Sequence, residues 1–245
     1  MGKIVLVTGG SRGIGAATCQ LLAENEYDVA INYRDDKAAA EAVADAVCRQ
    51  GGRSIVLRAD VGSEQDVINM FNTVDRELGT LDALVNNAGI IGPKGRVDAL
   101  SEASIISVLR TNLVGSMICC REAVRRMSTN YGGRGGAIVN VSSGSAYIGN
   151  PGSGVIYAVS KGGLNSLMIG LSQEVAGEGI RVNNISPGLT RTEMLTAESA
   201  AEAAVSVPMG RLGEPGEIAE AILWLLSEKA GFVAGANIRI SGGRP

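Results

Sequence analysis

A doubly wound α/β fold, with a seven-stranded parallel sheet flanked by helices on both faces, is predicted by three features of this 245-residue chain. Short β-rich runs alternate with longer amphipathic stretches from end to end, the pattern of strands joined by helical crossovers. The runs are continuously apolar rather than alternating, so both faces of the sheet are covered. No Pro-rich or Ser-rich stretch divides the chain and 45% of it is hydrophobic, so residues 1–245 are expected to form one domain around one substantial core.

The elements follow in order. Ile4-Val5-Leu6-Val7 is a buried strand that runs straight into a glycine-rich turn, and the next helix is predicted over 14–24. Strands at 29–33 and 54–57 bracket a helix over 37–50, which Gly51-Gly52 closes because its C-terminal residue must turn left-handed. Ser63, followed three residues later by Asp66, reads as a capping box for a helix over 63–78. Strands at 83–86, 137–141, 181–185 and 238–240 alternate with helices over 105–127, 157–176 and 217–227. Ligands of such folds bind beyond the carboxyl ends of the strands, where Thr8, Asn86, Ser142-Ser143 and Pro187-Gly188 fall.

Composition excludes several function classes. A net charge of -3 offers no attraction to nucleic acid or anionic lipid. Histidine is absent, which removes histidine triads, bases and metal sites together, and no metal is expected. Cys19, Cys48, Cys119 and Cys120 show no CxxC spacing and fall in predicted helices, so free, mostly buried thiols in a reducing compartment are expected. The apolar run at 4–7 is too short for a signal-peptide core, 222–226 is too short for a membrane span, and Leu6 stands where N-myristoylation needs Ser or Thr. A cytoplasmic protein with no membrane or nucleic-acid partner is the default expectation.

Two segments carry chemistry. Thr8-Gly9-Gly10-Ser11-Arg12-Gly13-Ile14-Gly15 follows a strand and opens a helix, so its glycines allow a tight turn while the helix N-terminus presents N–H groups to a pyrophosphate. Tyr157 and Lys161 lie one helical turn apart, which puts phenol and ammonium on one face. A phenol ionises near pH ~10, but a cation about 4 Å away in a partly screened site stabilises the phenolate by roughly 4 kcal/mol. That is about three pKa units before the cost of burial is subtracted, so the pair is expected to exchange protons near neutrality. A dinucleotide loop together with such a pair implies hydride chemistry at a carbinol or carbonyl carbon.

Asp60-Val61, Asn86-Asn87-Ala88-Gly89, Asn112, Ser143, Tyr157-x-x-x-Lys161, Asn183 and Pro187-Gly188-Leu189-Thr190 follow the glycine loop in order. With it they resemble the short-chain dehydrogenase/reductase family along the whole chain, and the resemblance implies a Rossmann-type fold. It also implies that Gly9, Ser11, Arg12, Gly13, Ile14 and Gly15 hold the pyrophosphate, with Asp60 and Val61 at the adenine. Asn86, Asn87, Ala88 and Gly89 would support the adenosine side. Pro187, Gly188, Thr190 and Thr192 would serve the nicotinamide end, although the threonines are also suited to capping a helix before Glu193.

Cofactor choice rests on the end of the second strand, where a carboxylate would suit the ribose 2′-hydroxyl of NAD(H) and a basic residue the 2′-phosphate of NADP(H). Tyr33 exits onto Arg34, with Arg12 as a second cation, so NADP(H) is favoured; Asp35 and Asp36 keep NAD(H) as the alternative. The resemblance further implies a catalytic tetrad of Asn112, Ser143, Tyr157 and Lys161. Asn112 would bind a water and Ser143 the substrate oxygen; Ser142 and Ser145 remain alternatives because the spacing to Tyr157 is one residue longer than usual. The loop over 147–156 is expected to line the substrate entrance, and 189–209 to cover it as a lid, neither with a guanidinium placed to clamp an acid.

The substrate class implied is a secondary alcohol or ketone, with members resembling sugar 1-dehydrogenases or 3-oxoacyl-acyl-carrier-protein reductases. In the second case Arg121, Arg125, Arg126 and Arg134 would dock an acidic carrier protein. The resemblance also implies a homotetramer, with Gly162-Gly163 and Gly170 allowing close helix approach. A dinucleotide-binding regulator without turnover is the reading from a different class; retention of both Tyr157 and Lys161 argues against it.

Overall fold

The computed structural model describes residues 2–192 and 197–244. Its strands are β1 (Lys3–Val7), β2 (Tyr27–Tyr33), β3 (Ser54–Arg58), β4 (Ala83–Asn86), β5 (Gly136–Val141), β6 (Ile180–Pro187) and β7 (Asn237–Ile240). They form one parallel sheet in the order β3-β2-β1-β4-β5-β6-β7. The described helices are α1 (Gly13–Glu24), α2 (Lys37–Arg49), α3 (Glu64–Glu77), α4 (Glu102–Leu109), α5 (Gly115–Met127), α6 (Ser145–Ile148), α7 (Val155–Val175), α8 (Ala197–Val205) and α9 (Pro215–Leu226). The chain runs outward from β1 to β3 and then reverses to β4, which opens a crevice at the carboxyl ends of β1 and β4.

Alternation along the strands feeds two apolar layers, because successive side chains point to opposite faces. Val5, Val7, Val29, Ile31, Val85 and Val139 pack with buried residues of α1, α2 and α9. Leu6, Ala30, Leu84, Ile138 and Val182 pack with those of α3, α5 and α7. Every predicted strand is present with boundaries shifted by at most one residue, except at the N-terminus of β2 and the C-terminus of β6, where two additional buried residues extend the pairing. Helix α6, too short for a periodic signal, and α8 were not anticipated.

The single helix predicted over 105–127 is instead α4 and α5 joined by a wide, π-type turn over Arg110–Val114. The segment Glu102–Met127 is long and apolar enough to cross a bilayer by length and composition. Here its buried Cys119, Cys120, Ala123 and Met127 join the inner layer with Phe71 and Ile138, so it acts as a core helix. The predicted capping box is half formed: Ser63 Oγ accepts from Asp66 N at 3.3 Å, but Asp66 Oδ2 accepts from Asp60 N at 3.1 Å. Its carboxylate thereby ties Asp60 to the helix start, since Oδ1 also accepts from Ser63 Oγ at 3.1 Å.

One row of the sheet is polar. Asn86, Asn140, Asn184 and Asn237 are register partners across β4, β5, β6 and β7. Asn86 Nδ2 donates to Asn140 Oδ1 at 2.9 Å and Asn140 Nδ2 to Asn184 Oδ1 at 3.0 Å. Asn184 and Asn237 both donate to Asn165 Oδ1 of α7, at 3.0 and 2.9 Å. Buried amides are costly to leave unpaired, so this row locks the register of four strands and ties α7 to it. It also corrects the expectation for Asn86, whose side chain enters the sheet interior instead of supporting an adenosine.

Candidate active site

A crevice of about 630 Å³ opens where the strand order reverses, lined by the glycine turn, the ends of β4, β5 and β6, and the start of α7. Gly9 has φ of +61°, and a side chain on Gly15 would lie 2.3 Å from Gly9 O, so the turn can close only with glycine there. Thr8 Oγ1 accepts from the N–H groups of Asn87 and Ala88, at 3.0 and 3.1 Å. Asn87 Nδ2 donates to Thr8 O and Gly9 O, at 3.0 and 2.9 Å. Asn87 thus braces the turn against the end of β4, a role in shaping the site. Helix α1 has no side-chain cap at its N-terminus. Its first N–H groups and positive dipole end face the crevice, which fits a dinucleotide pyrophosphate.

Tyr157, Lys161 and Ser143 meet in the same crevice, two from α7 and one from the end of β5. Ser143 Oγ accepts from Ser145 N at 3.1 Å and hydrogen-bonds the Tyr157 phenol. The hydroxyl of Ser142, the alternative, is buried and donates to Lys161 O at 3.1 Å and Asn165 Oδ1 at 2.8 Å. Lys161 Nζ lies 5.7 Å from the Tyr157 ring centroid and donates to Val141 O at 2.7 Å. Burial pulls the lysine pKa down to about 8. Burial also pushes the Tyr157 phenol above its ordinary value, opposed by the Ser143 hydrogen bond.

The expectation that Lys161 by itself brings the phenol to neutrality is therefore not met. Loss of water from both groups outweighs their attraction, because a Coulomb gain requires both to be charged in a site that disfavours either charge. At neutral pH the phenol holds its proton. Asn112 also differs from expectation: it sits in the π-type turn, and its side chain is spent on Ile90 N and Ile90 O, both at 2.8 Å, and on Ser160 Oγ at 3.0 Å. Asn112 clamps the segment after Gly89 rather than offering its amide to a water. A methyl group on Gly89 would lie 3.4 Å from Asn112 Oδ1 and 3.5 Å from Lys161 Nζ, which puts all three at one point.

At the other end, Tyr33, Arg34, Asp35, Asp60 and Val61 line the crevice with Ser11, Arg12, Gly13 and Ile14. Asp36 also lines the crevice, and its Oδ1 caps α2 by accepting from Ala39 N at 3.0 Å. Arg34 Nε pairs with Asp35 at 2.7 Å, both side chains being at least half exposed. Arg58, which sequence reading missed, donates from Nε to Arg34 O at 3.3 Å and lines the adjoining hollow with Arg34 and Asp60. Register pairing of Tyr33 with Arg58 was the only signal that could have revealed it.

Pro187, Gly188, Thr190 and Thr192 all line the crevice. Thr190 Oγ1 donates to Gly188 O at 3.2 Å, and Thr192 packs on Gly13, its Cγ2 being 3.3 Å from where a Gly13 Cβ would stand. Glu193, which those threonines were expected to cap, and part of the expected lid lie outside the described residues. A guanidinium does reach the entrance loop: Arg239 of β7 stacks on Tyr147 at 4.8 Å. The four arginines expected to receive a carrier protein are each paired: Arg121, Arg125 and Arg126 surround buried Glu122, and Arg134 pairs with Asp82.

Comparison with known proteins agrees with this geometry. The model of the enoyl-(acyl carrier protein) reductase family matches residues 9–244. The chain is 47% identical to the uncharacterized oxidoreductase YgfF of Escherichia coli, covering 98% of this chain and 99% of that one. It is 38% identical to a human 3-oxoacyl-[acyl-carrier-protein] reductase, over 99% and 98% of the two chains. A short chain dehydrogenase from Burkholderia cenocepacia, solved in complex with NADP, superposes with a TM-score of 0.92 at 34% identity over 99% of this chain and 98% of that one. Sheet order, glycine turn and end-to-end sequence kinship converge on one conclusion: the chain belongs to the short-chain dehydrogenase/reductase family of NAD(P)-dependent oxidoreductases.

Proposed function

We propose that this protein is an NADP(H)-dependent carbonyl reductase acting on ketones and the corresponding secondary alcohols. The observation that carries the proposal is the convergence of Tyr157, Ser143 and Lys161 beside an uncapped helix N-terminus in one crevice. A bound nicotinamide supplies or accepts the hydride. Ser143 holds the substrate oxygen, and Tyr157, protonated at neutral pH, donates to it. Burial favours the protonated phenol, the form that gives a proton in reduction; in oxidation the same group takes it back. Lys161 anchors the cofactor ribose and supplies positive charge as the phenol gives up its proton, while Asn112 positions the segment carrying Gly89 and Ile90.

NADP(H) over NAD(H) is supported by Arg34 after β2, by Arg58 at the end of the neighbouring β3 and by Arg12 in the glycine turn. Two substrate classes are compatible with this machinery. The human relative favours a 3-oxoacyl thioester; the pairing of Arg121, Arg125, Arg126 and Arg134 with acidic neighbours favours a small free carbonyl compound, such as a sugar, over docking of an acidic carrier protein at that face. We further propose a cytoplasmic homotetramer built from residues 1–245 as one unit. Its supporting features are Ile106, Met117, Val159 and Ile169, exposed on α4, α5 and α7, with Trp224 exposed on α9 and Phe232 in the segment before β7. Gly162 and Gly170 are open to close approach, whereas Gly163 faces Leu113 of its own chain.

The test is a panel of aldoses, alkyl ketones and acetoacetyl thioesters assayed with NADPH and NADH by absorbance of the reduced cofactor. Turnover of at least one carbonyl with NADPH preferred is expected. Tight cofactor binding with no turnover across the panel would instead favour a regulatory dinucleotide-binding protein.

A further inference from the structure

Beyond Ser143, the substrate end of the crevice holds a second pair of polar side chains, Ser145 and Asn150. Asn150 Nδ2 donates to Ser145 Oγ at 2.8 Å, and Ser145 N donates to Ser143 Oγ at 3.1 Å. The pair is thus wired to the hydroxyl that faces Tyr157. Asn150 has φ of +45°, one of two non-glycine residues described with positive φ, a conformation Asn tolerates better than most side chains. Its carbonyl accepts from Ser153 N at 3.3 Å and Gly154 N at 3.0 Å just before α7 begins, which ties its backbone to the start of that helix.

The bonding leaves a defined remainder. Because Ser145 Oγ accepts from Asn150, its own proton is uncommitted among the described residues, and Asn150 Oδ1 accepts from none of them. One donor and one acceptor therefore stand side by side, both half-buried. A hydroxyl group satisfies both at once, since it accepts and donates. A carbonyl satisfies only the donor, and a methyl group satisfies neither.

We propose that Ser145 and Asn150 form a subsite for a hydroxyl group of the substrate, making hydroxy ketones and related polyols the preferred substrates. This rests on the carbonyl-reductase reading above and narrows it. A site built to hydrogen-bond a hydroxyl disfavours the analogue lacking it, because the bound analogue displaces water from the site's polar groups and leaves them unpaired.

The experiment compares matched ketones with NADPH: 3-hydroxy-2-butanone against 3-methyl-2-butanone, and 4-hydroxy-2-butanone against 2-pentanone. Wild type, Ser145→Ala and Asn150→Gly are assayed, glycine being chosen because it keeps the positive φ while deleting the side chain. In each variant the KM of at least one hydroxy ketone should rise about tenfold while the KM of its alkyl partner changes less than twofold. Any intrinsic reactivity difference between the ketones cancels in this comparison. An unchanged ratio in both variants, or equal losses on hydroxy and alkyl ketones, overturns the subsite and leaves the carbonyl-reductase reading standing. Failure of wild type to reduce any of the four ketones or acetoacetyl-coenzyme A, with either NADPH or NADH, overturns both.

Discussion

Replacing Lys161 with Met should remove a rise in stability that the native protein shows between about pH 8 and pH 10. Lys161 is 3% exposed, and its Nζ has Val141 O as a hydrogen-bond acceptor at 2.7 Å. Burial lowers its pKa from 10.5 to about 8. Below about pH 8 the amine is charged in both folded and unfolded states, and the folded state carries the full cost of burying it. Between about 8 and 10.5 only the unfolded chain keeps the proton, so stability increases with pH across that window. At about 1.36 kcal/mol per pKa unit the full cost is about 3 kcal/mol, of which about 2 kcal/mol is regained by pH 10. Tyr157 acts in the opposite sense: its folded pKa is raised, so its contribution is complete below the unfolded value near 10 and is lost as pH climbs further.

The assay is urea unfolding followed by the fluorescence of Trp224, at pH 7, 8, 9 and 10, for both proteins. Contributions from titrating groups remote from Lys161 cancel in the difference between them. The difference should shift by about 2 kcal/mol in favour of the native protein from pH 7 to pH 10. Parallel stability profiles for the two proteins would falsify the assignment of a buried, desolvated ammonium. The same substitution should abolish turnover while leaving the protein folded at pH 7, a group retained for function at the expense of stability.

Three further outcomes are expected. Tyr157→Phe should cut kcat by about two orders of magnitude or more while NADPH affinity, measured by fluorescence titration, stays within a few-fold, because proton transfer alone contributes about 10²–10⁴; near-native turnover would remove Tyr157 from the proposed role. Arg34→Asp should weaken NADPH far more than NADH, and Arg58→Ala should weaken NADPH alone by roughly fivefold, as for a partly exposed charged hydrogen bond; equal effects on both cofactors in titration calorimetry would point to an NAD enzyme. Burial pushes the Glu122 carboxyl up, but hydrogen bonds from Arg126 and Arg121 and the charge of Arg125 hold it below the usual carboxylate range. Glu122→Leu should therefore cost about 2–3 kcal/mol and lower Tm by roughly 5–10 °C in a thermal melt, with no change in KM; an unchanged Tm would mean that the cluster contributes nothing.

Local patterning made much of this molecule legible in its sequence. An apolar run such as Ile4 to Val7 has no stable alternative to a buried strand, and a glycine turn between such a run and a helix needs φ values that few other residues reach. The spacing of Tyr157 and Lys161 was readable because one helical turn separates them whatever the rest of the chain does. What only the tertiary structure decided involves partners distant in sequence and the water that folding removes. Nothing local shows that Asn86, Asn140, Asn184 and Asn237 would share one row, that Arg58 would come beside Arg34, or that Asn112 would spend its amide on Ile90. Nor does the sequence show that the Ser142 hydroxyl would be bonded to Asn165 of α7 while Ser143 faces the crevice. The direction of the Tyr157 shift could not be read from spacing either: helical geometry sets how near a cation lies, but burial sets whether charge is tolerated there at all, and burial is a property of the whole packed chain.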